Sequence, residues 1–230
     1  MNLSYLLQVD IVGEAETGVI DVPVWQIIQD SSQGFGLVIN LTLALMLGYA
    51  IFIFVERYLA LRKASKEEAG LLSKIKEYIV AGKIDAAKDY CSRSNSPSAR
   101  MLEKGISRLG KPMESISATI ENTGKLEIMR LEQRLSFLAT AAGAAPMIGF
   151  LGTTIGMVIV FIDLQNKAEL SVDTIAPGTM LAMVTTVAGL IVGIISYVGY
   201  NFLVSKVANV VYQMENDALE FMDLLHEPGK

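Results

Sequence analysis

The chain has 230 residues, of which 52% are hydrophobic and 19% charged, and its mean hydropathy of +0.43 is high for a soluble enzyme. Its 24 acidic and 19 basic side chains give a formal charge of -5, so there is no basic excess to indicate nucleic acid as a partner. A single cysteine, Cys91, excludes an internal disulfide framework and a cysteine-cluster metal site. A single histidine, His226, excludes a multi-histidine site. The composition therefore predicts a membrane protein without a metal or other cofactor.

Residues 1–35 precede the first apolar run and carry only acidic charges. Because a basic start is absent, this segment does not resemble a cleavable signal peptide. Val22, Trp25 and Ile28 recur at helical spacing with Pro23 near the start, which predicts a short amphipathic helix on the outer surface of the membrane. An extended linker is the alternative for this segment.

Three runs without any charged residue lie at 31–55, 135–162 and 174–205 and have 25, 28 and 32 residues. About 20 apolar residues cross a hydrocarbon core of about 30 Å, so each run is long enough to span a bilayer. The alternative, a buried helical hairpin in a soluble protein, requires much shorter runs. We place the three transmembrane helices at 36–55, 136–162 and 175–204.

The basic residues are distributed very unevenly around these spans. Of the 19 Lys and Arg residues, none lies before residue 56, 16 lie between the first and second spans, one lies in the second loop and two follow the third span. Lys and Arg are retained in the cytoplasm, which predicts an extracytoplasmic N-terminus and a cytoplasmic C-terminus. Residues 56–135 then form a cytoplasmic helical region, 163–174 an extracytoplasmic loop and 205–230 a cytoplasmic C-terminal helix.

The region 56–135 has a helical pattern. An apolar stripe runs from Leu71 to Ile79, Gly82 marks a stop, and residues 92–98 indicate a turn. A further amphipathic helix opens at Pro112, and no strong breaker separates it from the second span. We therefore expect this helix to run without interruption into the membrane.

Small residues form a stripe on each of the last two spans. Their helical spacing places them on one face, where close backbone approach can hold two helices together in lipid. Ordinary packing with no role in transport is the alternative for these glycines. The predicted packing positions are Gly149, Gly152 and Gly156 in the second span and Gly189 and Gly193 in the third.

Polar residues inside these two spans are the candidates for an ion pathway. Thr153 and Thr154 lie in the second span, Thr185 and Thr186 lie in the third, and Asp163 ends the second. Threonine hydroxyls can relay a proton through water or coordinate Na⁺, and a carboxylate near the mouth can concentrate cations. A hydrogen bond to the carbonyl four residues back is the alternative for each hydroxyl. No carboxylate, lysine or histidine lies deep in the spans, so a partner is expected to supply a titratable group, unless the transported cation is not H⁺.

The motif AAPMIGFLGTTIGM at 144–157 and the motif IAPGTMLAMVTTVAGLIVGIISYVGYN at 175–201 resemble those of the MotA/TolQ/ExbB family, and most closely its ExbB/TolQ branch. The resemblance implies an all-α, homo-oligomeric inner-membrane channel, a pentamer whose subunits each have three transmembrane helices. It also implies a single-span partner of the ExbD, TolR or MotB type that carries an essential aspartate, together with a TonB- or TolA-like protein. Thr153 and Thr186 match pore-facing threonines of the family.

One position departs from the family pattern. ExbB and TolQ proteins commonly have a glutamate three residues after the Pro-Gly pair of the third span, where this chain has Leu181. The departure makes the site more like the MotA type, in which the partner provides the carboxylate, and it raises Na⁺ beside H⁺ as the transported ion. Glu56 lies at the inner boundary beside Arg57, where a solvated ion pair is expected instead of a replacement for the missing acid.

The leading hypothesis is an ion-conducting subunit of a rotary motor that uses the ion motive force to energise outer-membrane transport or envelope work. No nucleotide-binding loop of the GxxxxGK[ST] type is present to supply energy otherwise. The alternatives are a non-conducting oligomeric membrane scaffold and a motility stator subunit. An enzyme is disfavoured, because no Ser/His/Asp, Cys/His or paired-carboxylate arrangement is available in or beside the spans.

Overall fold

The computed structural model describes residues 34–66, 70–94, 96–167 and 171–226. The described residues form seven helices and no strand, which confirms the all-α prediction. The predicted amphipathic helix around Trp25 lies outside them. The helices are α1 (Phe35–Lys66), α2 (Leu71–Val80), α3 (Ile84–Arg93), α4 (Pro97–Ile106), α5 (Met113–Glu132), α6 (Leu135–Lys167) and α7 (Val172–His226).

Three of these helices, α1, α6 and α7, are long and apolar enough to cross a membrane. Their apolar segments have mean hydropathies of 2.3, 2.1 and 2.2, as expected from runs that lack charged residues. α7 continues without interruption from the third apolar run to His226, a length of 55 residues. At 1.5 Å per residue it extends about 80 Å, so more than half of it projects beyond a bilayer core.

The helices α2, α4 and α5 pack against the C-terminal half of α7, and α3 packs against α2 and α4. Apolar side chains at helical spacing meet in one core, where Leu102 and Phe221 are fully buried. The carboxylate of Glu127, also buried, is held by the Arg100 Nε at 2.9 Å and by the Arg130 Nη1 at 2.6 Å, so α4 and α5 share an ion pair. Other buried side chains of this core are Leu71, Ile75, Cys91, Met101, Ile106, Ile116, Val210 and Met214.

Two features of the sequence in this region, Gly82 and the segment 92–98, form the helix ends expected of them. Gly82 adopts a positive φ of 69° just after α2, and its N–H bonds to the carbonyl of Ile79, as in a glycine-terminated helix. The turn expected at residues 92–98 includes the start of α4. Pro97 occupies its first position and the Ser96 side chain caps the helix by accepting from the Ala99 N–H.

The expectation that one helix runs from Pro112 into the second span is wrong. α5 ends at Glu132 and α6 begins at Leu135. Between them Gln133 has φ -53° and ψ 135°, and Arg134 has a positive φ of 68°. No glycine or proline marks this break in the sequence.

The C-terminal part of α1 contacts the residues at this break. Arg134 Nη1 donates to both carboxylate oxygens of Glu56, at 2.8 and 2.9 Å. Arg57 lies 3.8 Å from the Glu56 carboxylate and donates to the backbone carbonyl of Arg130 at 3.2 Å. The principal partner of Glu56 is therefore Arg134, not the adjacent Arg57.

Replacing Ser96 with alanine should lower the free energy of unfolding by about 1 kcal/mol, because the Ala99 N–H loses its side-chain acceptor in a buried position. Thermal unfolding of the purified protein in detergent measures the effect. Ser92→Ala is the matched control, since the Ser92 hydroxyl is exposed and bonds only to its own helix. Equal stability of the two variants would contradict the capping role.

Candidate ion pathway between the second and third spans

The helices α6 and α7 approach each other at backbone distance. A methyl group placed on Gly149 would lie 2.8 Å from the Thr185 carbonyl oxygen and 3.1 Å from the Thr186 Cα. A methyl group on Gly189 would lie 2.6 Å from the Ala145 carbonyl oxygen. These separations are too short for any side chain, so both positions have to be glycine for the helices to pack in this way.

The remaining predicted packing glycines lie at the same interface. A methyl group on Gly156 would meet the Gly178 carbonyl oxygen at 2.6 Å, and one on Gly193 would meet the Pro146 ring at 2.7 Å. Gly152 lies directly against the side chain of Thr185. The small residues of the two stripes thus face each other along several turns.

Thr153 and Thr186 meet across this interface. Their hydroxyl groups are hydrogen-bonded to each other. The Thr153 hydroxyl also lies 3.2 Å from the Ala182 carbonyl oxygen, and the Thr186 hydroxyl lies 3.0 Å from that oxygen and 3.2 Å from the Gly149 carbonyl oxygen. The two hydroxyl protons serve only two of these contacts at a time. Two hydroxyls and two backbone carbonyls therefore form one cluster of four oxygen atoms, and both threonines are only partly buried.

The neighbouring threonines do not join the hydroxyl pair, although the Thr185 hydroxyl shares the Ala182 carbonyl with it. Thr185 is fully buried and its hydroxyl donates to carbonyls of its own helix, those of Leu181 at 2.9 Å and Ala182 at 3.1 Å. Thr154 is exposed and donates to the Leu151 carbonyl at 2.8 Å. The structure thus brings together one threonine from each adjacent pair, because consecutive helical residues point about 100° apart.

Asp163 and Leu181 lie outside the cluster as well. Asp163 is ten residues beyond Thr153 on α6, a displacement of about 15 Å along the helix axis, and is partly exposed. Leu181 is 7% exposed, so the position at which the family often has a glutamate is an apolar buried site in this subunit.

Sequence reasoning did not identify the carbonyl oxygens of Gly149 and Ala182 as members of the cluster. The Ala182 carbonyl could have been found, since it lies four residues before Thr186 and threonine often bonds to that position. The Gly149 carbonyl belongs to the facing helix, and its approach depends on the pairing of the two glycine stripes.

Comparison with known proteins relates the chain to one family. Residues 93–216 match a family described as the MotA/TolQ/ExbB proton channel family. The biopolymer transport protein ExbB of Aquifex aeolicus is 40% identical over 114 residues, which cover 50% of this chain and 76% of that protein. The Tol-Pal system protein TolQ of Pseudomonas aeruginosa is 28% identical over 92% of this chain and 96% of its own length. The TolQ of Haemophilus influenzae is 35% identical, but the match covers only 44% of either chain.

Replacing Gly149 with alanine should destabilise the packing of α6 on α7 by about 1–3 kcal/mol, because the added methyl group meets backbone atoms that cannot move aside. Thermal stability in detergent measures the change. Gly143→Ala is the matched control on the same helix, since a methyl group there meets nothing within 4 Å. If the two variants were equally stable, close approach at Gly149 would not hold the helices together.

Proposed function

The chain belongs to the MotA/TolQ/ExbB proton channel family, and we propose that it is an ion-conducting inner-membrane subunit of an ExbB/TolQ/MotA-type motor. The single observation that carries the proposal is the hydroxyl pair of Thr153 and Thr186 at the interface of two membrane-length helices. Polar groups inside a membrane are rare and commonly mark the path of an ion.

The chemistry of the cluster suits a proton or a small cation. A threonine hydroxyl is both a donor and an acceptor, so the pair can pass a proton to and from water. Backbone carbonyls and hydroxyls can also replace the hydration shell of a cation. Since Thr153 and Thr186 remain partly exposed, this edge of the subunit is open to a neighbouring helix or to a water-filled passage.

Such a pathway requires an acid that this chain does not supply. The predicted spans 136–162 and 175–204 contain no Asp, Glu, Lys or His. We propose that an ExbD- or TolR-like protein with one transmembrane helix places its aspartate beside the two hydroxyls. Several copies of the chain, five as the family resemblance implies, would surround that helix.

The outer surfaces of the spans support assembly in a bilayer. Large apolar side chains on α6 and α7 are more than half exposed in the subunit. Such surfaces are stable against lipid or against another copy of the chain. They include Met147, Phe150, Phe161, Met183, Ile194 and Tyr197.

We propose that the ion gradient supplies the energy for work on the envelope. One charge that crosses 100 mV releases about 2.3 kcal/mol, so a few ions suffice for a conformational step. The names of the relatives, a biopolymer transport protein and Tol-Pal system proteins, favour outer-membrane transport or envelope maintenance over motility. The N-terminus would be periplasmic and the helices α2 to α5 cytoplasmic, as the distribution of basic residues predicts.

Thr153→Ala and Thr186→Ala should each reduce gradient-driven ion flux at least tenfold, because either change removes half of the hydroxyl pair. Flux is measured in vesicles that contain the chain together with its single-span partner. Thr153→Ser retains a hydroxyl and should retain most of the flux. Thr42→Ala is the control, since that exposed hydroxyl of α1 bonds only to its own helix. Unchanged flux in both alanine variants would favour the scaffold alternative.

The transported ion should be H⁺, as in the description of the family, so flux should persist when all Na⁺ is replaced by choline. The second candidate is Na⁺, which the four-oxygen cluster favours because it has no titratable group. Flux in sodium-free and sodium-containing buffers over a range of pH separates the two. Loss of flux without Na⁺, with recovery when Na⁺ is added, would show that the transported ion is Na⁺ and not H⁺.

A further inference from the structure

The junction between α5 and α6 is a turn that its own residues do not favour. The dihedral angles of Gln133 and the positive φ of Arg134 are those of the two central residues of a type II turn. The second of these positions normally takes glycine or asparagine. Within the described ranges Arg134 is the one residue other than glycine with a positive φ. A bulky residue keeps this conformation only where its surroundings impose it.

Two consecutive residues of α1, Glu56 and Arg57, impose this conformation on Arg134. The Glu56 carboxylate accepts two hydrogen bonds from Arg134, and Arg57 donates to the carbonyl of Arg130. That carbonyl is among the last four of α5, which have no partner within their own helix. α1 therefore holds the end of α5 and the turn that follows it.

The local sequence favours a different backbone arrangement. Residues 131–135 read LEQRL, and all five are good helix formers. No glycine or proline occurs between Lys125 and Ala142. A continuous helix through the junction is therefore the competing state, and the contacts with α1 decide against it.

We infer that the Glu56–Arg134 ion pair is a positioning contact for the ion pathway: it holds the α5–α6 junction in its turn and so fixes α6, which carries Thr153, relative to α1. The effect on the ion pathway rests on the proposed function, whereas the geometry of the α5–α6 junction does not. Loss of the pair shifts the junction toward a continuous helix and displaces Thr153 from Thr186.

The geometry is tested by distance measurements between spin labels on the two sides of the junction. Cysteines that replace Asn122 on α5 and Thr140 on α6, both exposed, carry the labels. A continuous helix would place them about 27 Å apart along its axis. The native Cys91 stays unlabelled because it is fully buried, and burial raises the pKa of its thiol to about 12. The full-length chain is used in nanodiscs with an excess of unlabelled protein.

The expected result is one distance in the parent protein and a second distance, near that of the continuous helix, in Glu56→Gln. The population with this second distance should be about tenfold higher in Glu56→Gln than in the parent protein. The charge exchange Glu56→Arg with Arg134→Glu should restore the parent distance. Glu121→Gln, which removes the exposed ion pair with Lys125 on α5, is the matched control and should change nothing.

Arg134→Gly distinguishes a positioning role from a general loss of stability. Glycine accepts the positive φ without a steric cost, so this variant should keep the parent distance, and adding Glu56→Gln to it should have no effect. An unchanged distance in Glu56→Gln, or failure of the charge exchange to restore it, would overturn the inference. So would equal disruption by Glu56→Gln in the parent protein and in the Arg134→Gly variant.

Ion flux through the same variants, reconstituted with the single-span partner, tests the consequence. Glu56→Gln should lower flux about tenfold, and the combination with Arg134→Gly should recover it. Distances that shift while flux stays constant would show that the junction does not position the pathway. Absence of flux in the parent protein would instead refute the proposed function and leave the distance result intact.

Discussion

The structure depends on backbone contact between α6 and α7. Lipid gives apolar helices no hydrophobic reason to associate, so their attraction comes from dispersion forces and polar contacts at short range. The glycines at 149, 156 and 189 allow carbonyl oxygens of one helix to reach the backbone of the other. A single added methyl group at any of these points would meet backbone atoms and push the helices apart, which weakens these short-range contacts.

The same close approach makes the oxygen cluster possible. The Thr153 hydroxyl lies within hydrogen-bonding distance of a carbonyl of α7, and the Thr186 hydroxyl within that distance of a carbonyl of α6. Both approaches require the two backbones to be as near as the glycines permit. In hydrocarbon an unpaired hydroxyl is costly, so the cross-helix bonds also stabilise the pairing that creates them. Packing and polar chemistry at this site are therefore one feature of the molecule.

Much of this arrangement could be predicted from the sequence, since charge-free runs determine the long helices and glycine spacing determines which faces meet. The periodicity places Thr153 beside the glycine stripe of α6 and Thr154 on the far side of that helix, but it could not choose between Thr185 and Thr186. Thr185 and Thr186 differ by about 100° in direction, and they lie at the two edges of the small-residue stripe on α7. The choice depends on how far each helix is rotated about its axis, which is determined by the contacts of all its residues together. The turn at Arg134 could not be predicted for a different reason. Residues 131–135 prefer a helix. Glu56, which overrides this preference, lies 78 positions earlier in the chain.

The helices α6 and α7 differ in how they join the helical bundle, and this difference has a mechanical consequence. α7 passes from the membrane into the helical bundle as one 55-residue helix, and Phe221 near its end is fully buried there. α6 is instead separated from the bundle by a turn, so its orientation is not imposed by a continuous backbone. Of the two helices that form the oxygen cluster, one is therefore fixed to the bundle along its length and the other is held by side chains. A displacement that opens the hydroxyl pair requires less change in backbone structure if it occurs in α6.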